Sequence, residues 1–348
     1  MAKRAAELTR QAPEQAAGKG QNTVGLLRKT RRRYISLLKV GVSAGLLVWL
    51  ITQIDMTRTL TVVAQARPLG YWAALLLFIL GVPVRAYRWK ILADGLHLDA
   101  PIAKLNEFYF VGMLFNSILP TGFGGDAVRA AKLAGHTGRV GESLGSVVID
   151  RFLGIIVLVG MGVGTLVFAG HLVDRRLAWT LTMIFAIGLG GFWLLGRRSL
   201  LTHLGRFVPS TLRGSIASPM RALYAGLRGY RPSVLIRASL VSLVFNAMWI
   251  AVNVLLGWSL GIEARLYHYL LFVPVVSLSL VLPSIGGLGV REVTYVGLFG
   301  LIGVYRGTAF ALGIMIYAVT VITGLIGGLI LLIQAGREYL PTLRGEAP

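Results

Sequence analysis

The sequence predicts an all-α polytopic integral membrane protein: about six full spans plus two re-entrant hairpins broken by Gly and Pro, six to eight transmembrane helices, arranged as an inverted repeat. Three observations predict it. Of 348 residues, 55% are hydrophobic and only 14% charged, with a mean hydropathy of +0.72. A soluble chain carries roughly a quarter charged residues, and so little charge cannot cover a water-facing surface. Several stretches run about 20 residues almost without charge, the length that crosses about 30 Å of hydrocarbon. Glycine is abundant, at 44 residues, as in packed membrane helices whose backbones approach closely. The chain has no cysteine, which removes disulfides, thiolate metal sites and Cys nucleophiles.

The formal net charge of +21 and a pI of about 11 would suggest nucleic acid in a soluble protein. Here the charge is clustered. Lys3, Arg4, Arg10, Lys19, Arg28, Lys29 and Arg31–Arg33 precede the first apolar run. Arg197, Arg198, Arg206, Arg213, Arg221, Arg228, Arg231 and Arg237 follow the run at 177–196. Basic residues grouped at alternate loops mark the cytoplasmic side, and anionic lipid is a sufficient partner for them. No nucleic-acid partner is therefore expected. Residues 1–33 are expected to be a basic, disordered cytoplasmic tail, not a cleaved leader, because no small-residue cleavage site follows the apolar run. A plasma membrane of the bacterial inner-membrane type, with both termini cytoplasmic, is the expected location.

Full spans are expected at 35–54, 70–92, 144–170, 177–196, 234–257 and 308–333. With the N-terminus inside, 55–68 lies outside and 93–104 inside. The apolar run 105–119 is short and ends in Leu119-Pro120-Thr121-Gly122-Phe123-Gly124-Gly125-Asp126; Pro and Gly stop the helix. Arg129, Lys132 and Arg139 follow, so this segment dips in from the cytoplasm and returns. The run 268–283 ends in Leu282-Pro283-Ser284-Ile285-Gly286-Gly287-Leu288-Gly289 and dips in from outside, unless it forms two full spans. Between them, 197–233 is a cytoplasmic linker. In it Ile216, Met220, Leu223 and Leu227 recur at helical spacing opposite Arg213, Arg221 and Arg228, as in an interfacial helix or a solvated linker helix. The transmembrane domain covers 34–335, and 336–348 form a short cytoplasmic tail.

The two breaks resemble each other: Leu-Pro, then Thr or Ser, then a Gly-rich turn, then an Arg at 129 or 291. Gly/Pro-interrupted apolar segments of opposite orientation are what an inverted repeat leaves, and they point to a transporter's binding site. Non-helical backbone at membrane depth needs protein or a water-filled cavity around it. Glycine lets N–H groups converge on a ligand, and a helix starting after the break aims its positive end there. With Arg129 and Arg291 nearby, the site suits a phosphate or another anionic headgroup; a plain hairpin turn is the alternative. Asp126 could cap the next helix, pair with Arg129 or receive a cation.

Charges inside spans are expensive and therefore functional candidates. Asp150-Arg151 could be a local ion pair or contact a headgroup. Glu107 and Glu292 are candidates for a proton or counter-ion role. Asn246 and Asn253, seven residues apart on one face, suit interhelical hydrogen bonds. Arg85, Arg88 and Lys90 are expected to snorkel to the cytoplasmic headgroups. The five histidines share no metal-ligand spacing, so no metal and no cofactor are expected.

Asn116, Pro120, Gly124-Gly125-Asp126, Arg129, Asp150-Arg151, Pro283, Gly286-Gly287 and Gly289-Val290-Arg291-Glu292 together resemble the motifs of one membrane family. It is the transmembrane region of lysylphosphatidylglycerol synthase, also described as a flippase-like domain or uncharacterised protein family 0104. The resemblance covers roughly residues 35–335 and implies that these residues form a substrate site. In the bifunctional members a soluble aminoacyl-transfer domain follows and makes the lipid, which the membrane module translocates. With the last residue at Pro348, no synthase domain is expected here. The resemblance therefore implies a translocase or handler of phospholipid, glycolipid or polyprenyl-linked substrates with anionic headgroups, its partners being membrane lipids and a separate soluble synthase. The alternatives are a membrane-bound lipid aminoacyltransferase or glycosyltransferase, and an accessory subunit of a lipid-modifying synthase. For an enzyme, the outside loops offer only Asp55, Asp174 and Glu263, unclustered, and no nucleotide fingerprint follows a strand.

Overall fold

The computed structural model describes residues 45–119 except 47, 124–195 except 173, and 230–343 except 283 and 285; side chains at 172, 192–195 and 337–343 are not described. The basic tail, most of the first expected span and residues 197–229 of the linker lie outside the described residues. So do Pro120 and Pro283.

Among the described residues the chain is helical throughout, without strands. A short helix α1 (Met56–Ala64), capped by the Asp55 carboxylate on the Arg58 N–H at 3.0 Å, occupies what reads in the sequence as a connection. Then follow α2 (Pro68–Gly95), α3 (Ile102–Ile118), α4 (Gly124–Thr137), α5 (Val140–Ala169), α6 (Arg175–Leu195), α7 (Pro232–Ser259), α8 (Leu266–Ser279), α9 (Val290–Gly300) and α10 (Arg306–Leu343). Helices α2, α5, α7 and α10 are long and apolar enough to cross a membrane. The 21 residues of α6 give about 30 Å. At 14 and 11 residues, α8 and α9 are each too short for a span, so the second broken segment is a hairpin.

Helix α2 shows how these elements sit. Ala74, Phe78, Val82, Trp89 and Leu92 face the protein, while Leu69, Trp72, Leu76, Leu80 and Tyr87 stay more than half exposed. Both faces are apolar, as a helix between protein and lipid requires. Because lipid tails are as apolar as leucine, packing and hydrogen bonds hold such helices together, not the hydrophobic effect. A Cβ on Gly70 would lie 2.9 Å from the Leu255 carbonyl and from Ser259 Cβ on α7. At the same point the Arg67 N–H donates to the Ser259 carbonyl at 2.9 Å, and Ser259 Oγ donates to the Arg67 carbonyl at 2.7 Å. At the far end Gly95 of α2 meets Tyr230 and Val234, at the start of α7. The two helices are therefore antiparallel along their whole length.

That pairing fixes the hairpins. Six residues separate the C-terminal end of α2 from the start of α3, and six separate that of α7 from the start of α8. The hairpins α3–α4 and α8–α9 thus enter from opposite ends of the bundle. Each folds back on itself. In the first, Gly112 and Gly125 cross so closely that a Cβ on Gly125 would overlap the Gly112 carbonyl. In the second, the Tyr269 and Phe272 rings near the start of α8 pack on Phe299 near the end of α9, 5.4 and 5.3 Å apart. The first helix of each hairpin packs on the other half, α3 on α10 and α8 on α5, while the second stays with its own half, α4 on α5 and α9 on α10. Units α2–α5 and α7–α10 thus repeat one order, a long helix, a broken hairpin and a second long helix, and run in opposite directions. The glycines at 286, 287 and 289 have φ of +58°, +85° and +83°. Three left-handed residues within four positions need glycine and turn the chain sharply into α9.

Candidate functional site

The hairpin tips meet. Gly286 in the second break lies against the Ser117 carbonyl at the end of α3, 3.5 Å from where its Cβ would be. Around this junction is a cavity of about 270 Å³ lined by both hairpins and by the middle turns of α2, α5, α7 and α10. Asp150 lies ten residues into α5 and Tyr317 eleven residues into α10, about 15 Å from the helix ends. The cavity therefore sits deep within the bundle.

Its wall carries a chain of charges crossing three helices. Arg88 on α2 donates through Nε to Asp150 Oδ1 at 2.7 Å and through Nη1 to Ser242 Oγ at 3.0 Å. Arg129 on α4 donates to Asp150 Oδ2 at 3.0 Å and to Asp126 Oδ1 at 3.2 Å. Tyr109 on α3 donates its hydroxyl to Asp150 Oδ2 at 2.5 Å, and Arg151 pairs with Asp126. Arg88, Arg129 and Asp150 are each at most 3% exposed. The Arg129 guanidinium also lies 3.6 Å from the Tyr109 ring centroid and 4.3 Å from that of Trp89. Buried charges survive only when paired and saturated with hydrogen bonds, and here aromatic faces complete the shell. Asn116 Oδ1 accepts the Gly125 N–H at 2.8 Å, satisfying one open donor in the first turn of α4.

On the opposite side Arg291 of α9 is 5% exposed. Its Nη2 donates to the Gly286 carbonyl at 3.0 Å, and its guanidinium lies 5.4 Å from the Tyr317 ring centroid. Arg85 lies over the Tyr109 and Phe245 rings at 4.9 and 4.8 Å. Arg85 Nε, Arg129 Nε and Arg291 Nη1 are buried N–H groups without a partner. Among the described lining residues, Arg85, Arg88, Arg129, Arg151 and Arg291 face only Asp126 and Asp150 as counter-charges. Unsatisfied donors and excess positive charge are a receptor for an anion with several acceptor oxygens, such as a phosphate.

Of the residues singled out in the sequence, Asn116, Asp126, Arg129, Asp150, Arg151, Gly286, Gly287 and Arg291 line this cavity. Gly124 and Gly125 form the first turn of α4, and Gly289 is the N-cap of α9. Glu292 stands one layer behind, fully buried, its Oε2 accepting the Gly289 N–H at 2.6 Å. Asp150 and Arg151 both reach across to α4, Asp150 to Arg129 and Arg151 to Asp126. Asn246 donates to the Gly154 carbonyl at 3.1 Å and Asn253 accepts from Tyr295, the interhelical bonds expected of them. Glu107 is held outside the cavity by Lys104 at 3.3 Å and by Gln334.

Arg88 is a correction. It does not snorkel: it is buried and ion-paired, because it lies seven residues inside the end of α2 on the face shared with α5 and α7. Arg85 and Lys90, the latter with Asp94 at 2.5 Å, are the residues of that group that stay partly exposed. Sequence reading also missed Tyr109, Ser242 and Tyr317. The signal for Arg88 was present, as a charge within an expected span; hydroxyls on apolar helices gave none. Among the described residues no three His, Asp or Glu side chains converge as a metal-ligand set.

Two comparisons bear on identity. The family described as "Lysylphosphatidylglycerol synthase TM region" matches over residues 36–328. The UPF0104 membrane protein PH1989 of Pyrococcus horikoshii is 27% identical over 131 residues, which are 37% of this chain and 38% of that protein. The match thus spans well under half of the curated relative's length. With four helices able to cross a membrane and family similarity over nearly the whole helical region, the chain is a multi-pass membrane protein and belongs to the lysylphosphatidylglycerol synthase transmembrane-region family.

Proposed function

We propose that this chain translocates membrane lipids or lipid-linked substrates with anionic headgroups. The observation that carries the proposal is the meeting of two opposed hairpin tips at a buried cavity rich in guanidinium groups. The family's description ties it to lysylphosphatidylglycerol, an aminoacylated phospholipid. The headgroup would bind among Arg85, Arg129 and Arg291 while the apolar tails remain in lipid. Rocking the α2–α5 unit against the α7–α10 unit would open the site to each face in turn, as inverted repeats permit. Both cavity carboxylates are engaged by arginines, so neither is free to act as a general base, which favours binding and movement over catalysis. The basic clusters support a cytoplasmic location, at a plasma membrane, for the Gly95 end of α2 and both termini.

Proteoliposomes containing tail-labelled fluorescent phosphatidylglycerol test this. The wild type is expected to expose inner-leaflet lipid to a membrane-impermeant reductant. Arg291→Ala and Arg85→Ala are expected to slow this about tenfold or more, each removing a charge-assisted contact. Equal exposure in wild type, both variants and protein-free vesicles would contradict the proposal.

A further inference from the structure

Glu292, next to the cavity residue Arg291 at the start of α9, has no role in the arrangement above. Glu292 is fully buried; its Oε2 accepts the Gly289 N–H, while its Oε1 has no partner. The adjacent Arg291 faces the cavity with Nη1 unpartnered. Among the described residues no ion pair joins these neighbours, although each carries an atom that would complete the other. The surroundings are close-fitting. From α10, Gly313 leaves only 3.1 Å between its would-be Cβ and Glu292 Cγ. Tyr295, on the same helix, spends its hydroxyl on Asn253 of α7. Tyr269 of α8 packs its ring on Phe299, and Tyr317 of α10 lies beneath Arg291. Arg291 is thus the one cation among the titratable groups named around Glu292.

We infer that Glu292 is a proton-binding site coupled to occupancy of the cavity by an anionic headgroup. With the cavity empty, the Arg291 charge needs the Glu292 carboxylate beside it. An anion seated against Arg291 Nη1 takes over that compensation. The carboxylate is then a second anion in a buried site with an unpaired oxygen, and a proton on Oε1 removes the cost. The proton therefore binds better when the headgroup is bound, and by reciprocity the headgroup binds better when Glu292 is protonated. Carried together through the alternating site, one proton and one singly charged headgroup would cross without net charge, so a pH gradient would drive the lipid. The inference rests on the proposed transport reading for its consequence, but the proton site itself is measurable without transport.

Infrared difference spectra of the full-length protein test the site. Nanodiscs of pure phosphatidylcholine are compared with nanodiscs containing phosphatidylglycerol. A protonated-carboxyl band is expected to appear with the anionic lipid, to shift in Glu292→Asp and to be missing in Glu292→Gln. Its absence from the wild type, or its persistence in Glu292→Gln, overturns the inference. In proteoliposomes, a pH gradient of one unit is expected to bias the leaflet distribution of fluorescent phosphatidylglycerol about tenfold in wild type and not at all in Glu292→Gln. Movement that ignores the gradient equally in both overturns the coupling while leaving transport intact. No movement alongside the expected infrared band would instead remove the transport reading and leave the proton site standing.

Discussion

Asp150 holds two arginines and a tyrosine hydroxyl at once, and all three partners come from other helices. Its removal would leave Arg88 buried without a counter-charge and Arg129 with Asp126 alone. Breaking a buried pair in this way costs about 3–5 kcal/mol, much more than the intact pair contributes. Asp150→Ala is therefore expected to lower the thermal unfolding midpoint of the purified protein sharply, whereas Arg85→Ala, which removes no ion pair, is expected to leave it nearly unchanged. Comparable midpoints for the two variants would show that the charge chain is not structural. The same logic separates the cavity arginines by role: Arg88 positions, Arg85 and Arg291 keep donors for a ligand, and Arg129 does both.

At the level of helices, glycine decides how closely the elements approach. A Cβ on Gly125 would overlap the Gly112 carbonyl, and one on Gly327 would overlap the Phe110 carbonyl, locking α3 between α4 and α10. Gly191 on α6 has nothing within 4 Å of its would-be Cβ. Gly125→Ala and Gly327→Ala are accordingly expected to destabilise by about 1–3 kcal/mol through overpacking, and Gly191→Ala to change stability by less than about 0.5 kcal/mol. Denaturant or thermal unfolding in detergent measures all three. A second interhelical link, Tyr295 to Asn253, joins α9 to α7. A double-mutant cycle with Tyr295→Phe and Asn253→Ala is expected to return a coupling of about 0.6 kcal/mol, as for other hydrogen bonds between membrane helices. Zero coupling would mean that the bond adds nothing beyond packing.

For the whole molecule, the inverted arrangement was legible where composition forces it. The Pro- and Gly-rich breaks after Leu119 and Leu282 end helices by their chemistry, and uncharged runs of span length define α2, α5, α7 and α10. Those features are local, so they survive in one dimension. What joins helices distant in sequence was not legible. Arg88 and Asp150 are 62 residues apart and Arg88 and Ser242 are 154 apart, and nothing in either local pattern names its partner. Helix α1 went unread because its nine residues, though amphipathic, are too few to stand out from a connection between two expected spans. The candidate site was thus half visible. Its glycines, Asp126, Arg129 and Arg291 follow from the breaks, whereas Arg85, Arg88, Tyr109 and Tyr317 enter only when the helices are packed.

That two opposed hairpins close on a polar cavity inside the bundle is the claim beneath every functional statement, and solvent access measures it most directly. The chain has no cysteine, so single cysteines report cleanly. Ser117→Cys on the first hairpin and Ser277→Cys on the second line the cavity, whereas Leu329 on α10 is 57% exposed on the outer apolar surface. In sealed vesicles, both cavity cysteines are expected to react with a small, charged thiol reagent, and Leu329→Cys to resist it. Reaction at Leu329→Cys with protection of both Ser117→Cys and Ser277→Cys would place lipid where the account requires water.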